Sequence, residues 1–191
     1  MRALVVVALV VPACSDSSSK TPDAAVLDAT VLDATVDAVT SACTGACRTL
    51  TAKAGKGLDS VAFDRAFYGY NGSNADPTSV RIELHQGGDA TCPTMNSPTP
   101  RQTAIVSAIP VTSRTLPTNN LTAKVSYLDF IGTLSMSPIV RSTAVSLSAI
   151  TGSFVATDLY VAFDINATLG EAISITGHVF AIHCASLDEM P

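Results

Sequence analysis

The feature that most constrains the fold is an alternation of apolar and polar residues between Val155 and Ile165. One parity holds Val, Thr, Leu, Phe and Ile, and the other parity includes two carboxylates, Asp158 and Asp164. Because successive side chains of a β-strand point to opposite faces, this pattern predicts a half-buried strand whose carboxylates face water. Elsewhere in the chain no segment has the apolar stripe of a convincing helix.

Other short apolar runs are separated by Gly, Pro, Asn and Ser, which interrupt strands. These runs lie at residues 61–63, 67–70, 80–84, 104–109, 121–130, 144–150 and 170–184. Their number and spacing predict an all-β domain, an antiparallel β-sandwich of roughly seven or eight strands. We favour a sandwich over a closed barrel, and both jelly-roll and immunoglobulin-like topologies fit the pattern.

Composition excludes several classes of protein. Of the 191 residues 47% are hydrophobic and 14% are charged, against about 25% charged in an average domain, so a coiled coil or a highly charged disordered chain is excluded. From Cys43 onward eleven acids and nine bases leave a net charge of −2. A nearly neutral domain has no basic stripe for nucleic acid, so we expect no nucleic-acid partner.

The N-terminus carries a short targeting pattern. After Met1 and Arg2, the nine apolar residues 3–11 are too few to span a bilayer, and Cys14 follows, with a Ser-rich stretch after it. Val11, Ala13 and Cys14 match the signal of bacterial lipoproteins, which this segment resembles, while Pro12 departs from it. An ordinary secretory signal is the alternative.

The resemblance implies a signal peptide over residues 1–13 and a lipid on Cys14, which becomes the new N-terminus and anchors the chain to a membrane. Ser15 resembles the residue that sorts such proteins to the outer membrane. The expected location is therefore the bacterial outer membrane, with the domain in the periplasm or at the cell surface.

Residues 14–42 differ in character from the rest of the chain. Residues 15–42 contain five acids and one base, and the Asp residues that follow residue 20 recur at steps of five, five and four. These steps match neither a strand nor a helix, and the segment has too little apolar surface to fold. We predict a disordered acidic linker, which leaves residues 43–191 as the folded domain.

Four cysteines follow the anchor, and an even number in an exported domain predicts two disulfides. We favour Cys43–Cys47 as a local pair and Cys92–Cys184 as a long-range one, although pairing Cys43 or Cys47 with Cys184 stays open. A zinc site that includes Cys43 and Cys47 is the alternative to disulfides, but Cys92 and Cys184 lack the paired spacing of a zinc module. We therefore expect no metal and no cofactor.

Catalytic motifs are absent from the sequence: neither Gly-x-Ser-x-Gly nor a phosphate-binding loop occurs. His85 shares the outward parity of its strand with Arg81 and Glu83, which favours a solvated strand face. His178 and His183 are five residues apart, so one uninterrupted strand places them on opposite faces. We assign no catalytic residue.

A polar, turn-rich loop follows two tyrosines and is the best candidate for ligand binding. Its candidate residues are Tyr68, Tyr70, Asn71, Asn74 and Asp76. The function we expect is non-enzymatic: envelope structure, adhesion or partner binding, with an envelope protein or a glycan as partner. The alternatives are a small-ligand or carbohydrate-binding module, and an exported hydrolase whose site assembles only in three dimensions.

Overall fold

A computed structural model describes residues 45–73 and 75–189. Its strands are β1 (Lys53–Lys56), β2 (Asp59–Ala62), β3 (Arg65–Gly72), β4 (Pro77–Gln86), β5 (Gln102–Pro110), β6 (Lys124–Asp129), β7 (Ile139–Val155), β8 (Asp158–Leu169) and β9 (Ser174–His183). Two 3₁₀ turns lie at Gly170–Ala172 and Ala185–Leu187. Within the described ranges, no helix has the length and apolar character needed to cross a membrane.

Strands β3 to β9 form one closed barrel. Each pairs antiparallel with the next along the chain, and β9 then pairs with β3. In a seven-strand meander the first and last strands run in the same direction, so the closing pair must be parallel. The register shows this, with Phe67 opposite Ile182 and Tyr68 opposite His183. The hairpin of β1 and β2 extends the other part of the β9 edge, where Ala54 lies opposite Ile175.

The prediction of an open antiparallel sandwich is therefore wrong, although the all-β class is confirmed. Alternation requires one buried face on each strand, and two facing sheets or one closed sheet satisfy that requirement equally. Strand length and curvature determine whether the strands form two sheets or one closed barrel. β7 has 17 residues and β8 has 12, with bulges that bend β7 near Ser142 and Ser148. Bulged, strongly bent strands favour closure.

The inward parity of every barrel strand supplies the core. A barrel of this size has an interior just wide enough for side chains to fill. Tyr68, Tyr127 and Phe163 are among the largest fully buried side chains, and burial raises the pKa of both tyrosines. Further buried members are Ile82, Leu84, Val106, Ile109, Val125, Leu147, Val161, Ile165, Ile175 and Val179.

The alternating segment of the sequence is not one strand. β7 ends at Val155 and β8 begins at Asp158, so a two-residue turn interrupts the pattern. Within β8 the prediction holds, because Phe163 and Ile165 lie in the core while Asp164 faces outward. The turn pairs Phe154 with Leu159 and Val155 with Asp158, so the inward parity changes across it. Phe154 is therefore buried, whereas Val155, which the alternation places on the inward parity, is exposed.

The predicted long-range disulfide Cys92–Cys184 is confirmed. Its Cα atoms are 5.4 Å apart, and it joins the β4–β5 loop to the residue that follows β9. Cys47 is also disulfide-bonded. Cys43, the partner predicted for it, lies outside the described residues, and so do Cys14 and the predicted linker.

The segment after β9 continues along β3. Cys184 N–H donates to the Tyr68 carbonyl and Glu189 N–H donates to the Tyr70 carbonyl. Gly69 lies directly beneath Leu187, and a Cβ atom at Gly69 would collide with the Leu187 backbone. The glycine therefore permits the C-terminal segment to lie flat on the outside of the barrel.

Candidate functional site

The outward-facing polar residues of β4 form one ion network. Arg81 Nη2 donates to Glu83 Oε1 at 2.7 Å, and His85 Nε2 lies 3.1 Å from Glu83 Oε2. Arg81 Nη1 also donates to Glu189 Oε1 at 3.1 Å. Alternate positions on one strand bring the three side chains to the same face, and Glu83 stands at the centre.

This face is covered, which corrects the prediction of a solvated strand face. His85 is 3% exposed, and its ring packs edge-on against Phe67 with ring centroids 5.7 Å apart. The Glu83 side chain is 13% exposed. The cover comes from the Cys92–Pro100 loop and from the C-terminal segment, and the alternation within β4 carries no signal for either.

Electrostatics keep Glu83 ionised. Burial acts to raise the pKa of Glu83, but the hydrogen bond with His85 and the positive charge of Arg81 outweigh it, so the pKa lies below its ordinary value. A carboxylate only accepts hydrogen bonds, so His85 Nε2 is the donor in this contact. In the neutral ring the lone pair then lies on Nδ1.

Three adjoining cavities run along this face, and we call them together the β4 groove. The first, of about 360 Å³, lies between Arg81, Glu189 and Ser107. The second, of about 570 Å³, lies between Thr94 and the C-terminal segment. The third, of about 300 Å³, lies over His85. Its other lining residues include Pro93, Pro98, Pro100, Thr103, Ile105, Leu128 and Phe130.

The Cys92–Pro100 loop and the C-terminal segment cover the β4 groove, and we call them together its roof. Several bonds hold this roof in place. The Cys92–Cys184 disulfide joins the loop to the C-terminal segment, and Ser186 Oγ donates to the Pro93 carbonyl. Within the loop, Ser97 Oγ donates to Asp89 at 2.8 Å. These bonds hold the loop across the sheet and give the groove a fixed shape.

The other two histidines also face carboxylates. His178 Nδ1 is 2.7 Å from Asp164 Oδ1, and His178 Nε2 is 2.9 Å from the Cys47 carbonyl. Its backbone bonds Thr51 and Ala52, so His178 fixes the N-terminal segment to the outside of β9. It stands on the outward parity of β9 and is buried beneath that segment.

His183 lies on the opposite parity from His178, as predicted from their spacing. His183 Nε2 is 3.0 Å from Asp188 Oδ1, and the His183 ring stacks on Tyr70 with centroids 5.0 Å apart. Burial and the nearby Asp188 charge raise the pKa of Tyr70. Each histidine thus has its own carboxylate, and the β4 groove includes His85 alone of the three.

The predicted ligand loop has no exposed aromatic ring. Tyr68 and Tyr70 are both buried inside the barrel, where they offer no face for stacking a sugar. Asn71 Nδ2 donates to Ser79 Oγ, and Asp76 N–H donates to Ser73. Asn74 lies outside the described residues. Binding at this loop stays a prediction.

Sequence reasoning missed two contributors to the β4 groove. Glu189 reaches Arg81 from the C-terminal end of the chain, and Pro93 lies over Glu83. The disulfide was the available signal, because bonding Cys92 to Cys184 brings the flanking residues of both segments together.

Comparison with known proteins identifies no relative: the chain matches no protein-family model, no curated protein and no solved structure. Across residues 45–73 and 75–189, no group of three or more His, Cys, Asp and Glu side chains is placed to hold a metal ion. A covered groove with a few converging polar groups is, on chemical grounds, suited to holding a ligand.

Proposed function

We propose that the chain is a lipid-anchored, non-enzymatic binding protein of the bacterial cell envelope, and that the β4 groove holds an extended segment of a partner protein. The observation that carries this proposal is the row of three adjoining cavities along one strand. A row of cavities fits an extended chain better than a single compact molecule.

The lining of the β4 groove supports an uncharged, partly apolar partner segment. Glu83 and Arg81 already neutralise each other, so a charged ligand group would have to compete with an existing ion pair. Ile105, Pro98 and Leu128 offer apolar contact, while Thr94 and Ser107 offer hydroxyl groups. A glycan is the other partner class, because the lining also includes polar side chains such as Asn71, Ser79 and Asn96.

Site-directed photo-crosslinking in intact envelopes tests the groove. A photoreactive residue at Thr94 or Ser107 should yield the same discrete crosslinked protein, because the two positions line the same groove. The matched control is Ser148, an exposed residue of β7, and it should give no such product. Equal labelling from all three positions would contradict the proposal.

The anchor is tested separately through Cys14. Cys14→Ala should abolish incorporation of a labelled fatty acid and move the protein out of the membrane fraction. Cys47→Ala is the control, because it removes a cysteine without touching the signal. Membrane retention of the unacylated Cys14→Ala protein would contradict the anchor and leave the groove untouched.

A hydrolase is the second candidate, and one observation favours it. His85 is oriented by Glu83 at the floor of a cavity, which is how a general base is held next to a carboxylate. Turnover of an ester, peptide or glycoside substrate that His85→Gln abolishes, with crosslinking at Ser107 unchanged, would establish it. Equal turnover in both proteins would exclude it.

A further inference from the structure

One end of the barrel displays large apolar side chains to solvent. We call them the apolar rim, and they are Leu58, Phe130, Ile131, Met136 and Ile139, each at least half exposed. Leu58 is 105% exposed and Met136 is 98% exposed, so neither leans on the protein surface. Exposed apolar residues scattered singly need no explanation, but a cluster of them marks an interaction surface.

The members of the apolar rim come from separate segments of the chain, which contacts of Glu171 bring together. Leu58 lies in the turn between β1 and β2, two residues after Lys56, whose Nζ is 3.6 Å from Glu171 Oε2. The same oxygen accepts the Met136 N–H at 3.3 Å. Glu171 therefore joins the β1–β2 turn to the β6–β7 loop that carries the rest of the rim.

The β6–β7 loop is held in shape rather than left loose. The Asp129 carboxylate, which is buried, accepts the N–H groups of Leu134 and Ser135 at 2.7 and 3.1 Å. Burial acts to raise the pKa of Asp129, but these donors lower it below its ordinary value. A fixed loop presents its apolar tips outward at no further ordering cost on binding.

Cations border the apolar rim. Arg101 precedes β5 and its carbonyl accepts the Phe130 N–H, and Arg141 follows Ile139 by two residues; both arginines are exposed. The nearby acids Asp129 and Glu171 are directed at backbone N–H groups and at Lys56. Asp59, Asp64 and Asp89 are also at this end, so the charge is mixed and apolar insertion must supply most of the affinity.

We infer that this end of the barrel inserts its apolar rim into the interface of a lipid bilayer. Separate protruding tips fit a fluid interface, which closes around each of them, whereas a second protein would need a pocket for each. Apolar side chains enter the acyl boundary while Arg and Lys reach the phosphates. The opposite end exposes Leu121 and Val155, and we assign it no lipid contact.

The inference rests on the proposed function in one respect, because an acylated Cys14 would keep the barrel within reach of a membrane. The predicted linker, residues 15–42, would place 28 residues of chain between the anchor and the domain. Insertion of the rim then becomes an intramolecular step with a high effective concentration, so that weak affinity is enough.

The absence of Trp from the chain provides a direct test. Met136→Trp places a single reporter in the apolar rim, and Val155→Trp places one on an exposed apolar position at the opposite end. Each full-length acylated variant is reconstituted into vesicles of phosphatidylethanolamine and phosphatidylglycerol, with and without brominated acyl chains. The Met136→Trp emission should shift to shorter wavelength and be quenched, whereas the Val155→Trp emission should not change.

A second experiment distinguishes membrane binding by the apolar rim from membrane binding by the acyl anchor. Residues 39–191 hold the whole closed barrel and its core and lack Cys14. Leu58→Ser with Met136→Ser should lower the vesicle partition coefficient of this fragment about 10-fold or more, because each exposed methylene contributes to insertion, and should leave the thermal midpoint unchanged.

Three results would overturn the inference: equal quenching at both ends, no quenching at either end, or a blue shift without vesicles that accompanies dimer formation in sedimentation. If the acyl anchor fails but the fragment still partitions through its rim, the proposed function loses its anchor and this inference stands.

Discussion

The β4 groove and the apolar rim depart from an ordinary protein surface in opposite directions. In the groove, charged and ring nitrogen groups are buried beneath a loop. At the rim, large apolar side chains stand in water. Neither arrangement is what stability alone selects, because burying charge and exposing apolar surface both cost free energy.

The two regions also differ in what holds them. The groove depends on a covalent link between distant segments, Cys92 to Cys184, whereas the rim depends on carboxylates within or beside its own loop, Asp129 and Glu171. Phe130 belongs to both regions, since it lines the third cavity and is half exposed at the rim. The bonds that hold the two regions are nevertheless separate, so changes that remove one set should leave the other set intact.

The largest effect should follow from removing the disulfide. Cys92→Ser with Cys184→Ser should destabilise the barrel by about 4 kcal/mol, because the bond closes a loop with a sequence separation of 92. Urea unfolding measures the loss. The Met136→Trp emission on vesicles should be unchanged below the unfolding midpoint. A loss of less than about 1 kcal/mol would show that the roof is held without the disulfide.

The next largest effect should come from Asp129. Asp129→Asn removes charge-assisted bonds to Leu134 and Ser135 and should cost about 3 kcal/mol. It should also reduce vesicle binding through the rim while crosslinking from Thr94 persists. Asp76→Asn is the control, because Asp76 is exposed. Identical urea midpoints for the two variants would contradict the role of Asp129.

Glu83 should have a smaller, pH-dependent effect. Glu83→Gln should cost about 2 kcal/mol at neutral pH, because Arg81 and His85 lose a charged partner. The pKa of Glu83 is lowered from 4.5 in the folded protein, so its stabilising contribution is present above that pH and is lost as the pH falls through the folded value. The two proteins should therefore converge in stability below pH 4.5. A gap that stays constant down to acid unfolding would refute this.

The smallest effect should be at Asp158. Arg48 Nη2 contacts both oxygens of the Asp158 carboxylate, and both side chains are exposed. Exposed ion pairs contribute about 1 kcal/mol or less. Asp158→Asn should shift the unfolding midpoint only slightly, with the groove and the rim both unaffected. A shift as large as that of Glu83→Gln would mean that the N-terminal segment is more important to the barrel than its exposure indicates.

Local patterns in the sequence were sufficient for strands, parity and one disulfide. The alternation around Phe163 identified an inward face correctly, and the parity of His178 and His183 followed from their spacing. Closure did not follow, because the pairing of β9 with β3 joins residues more than 100 positions apart, Phe67 with Ile182. The alternation of apolar and polar residues within a strand carries no information on which strand edges pair to close the barrel.

The sites were predictable only in part, for a related reason. Glu83 and His85 were identified as sharing a face, but their burial depends on a loop and a C-terminal segment that no strand pattern describes. The rim does not follow from the sequence, because the apolar run predicts Phe130 as the end of a strand. In the structure that strand ends at Asp129, and Phe130, Ile131 and Met136 after it face water.

We propose that the β4 groove and the apolar rim serve different surfaces, and hydrogen–deuterium exchange on the full-length acylated protein tests this division most directly. Moving the protein from detergent to vesicles should slow exchange at residues 56–58 and 130–139 and leave residues 92–100 and 184–189 unchanged. Slowed exchange across the β4 groove, with none at the apolar rim, would contradict the claim.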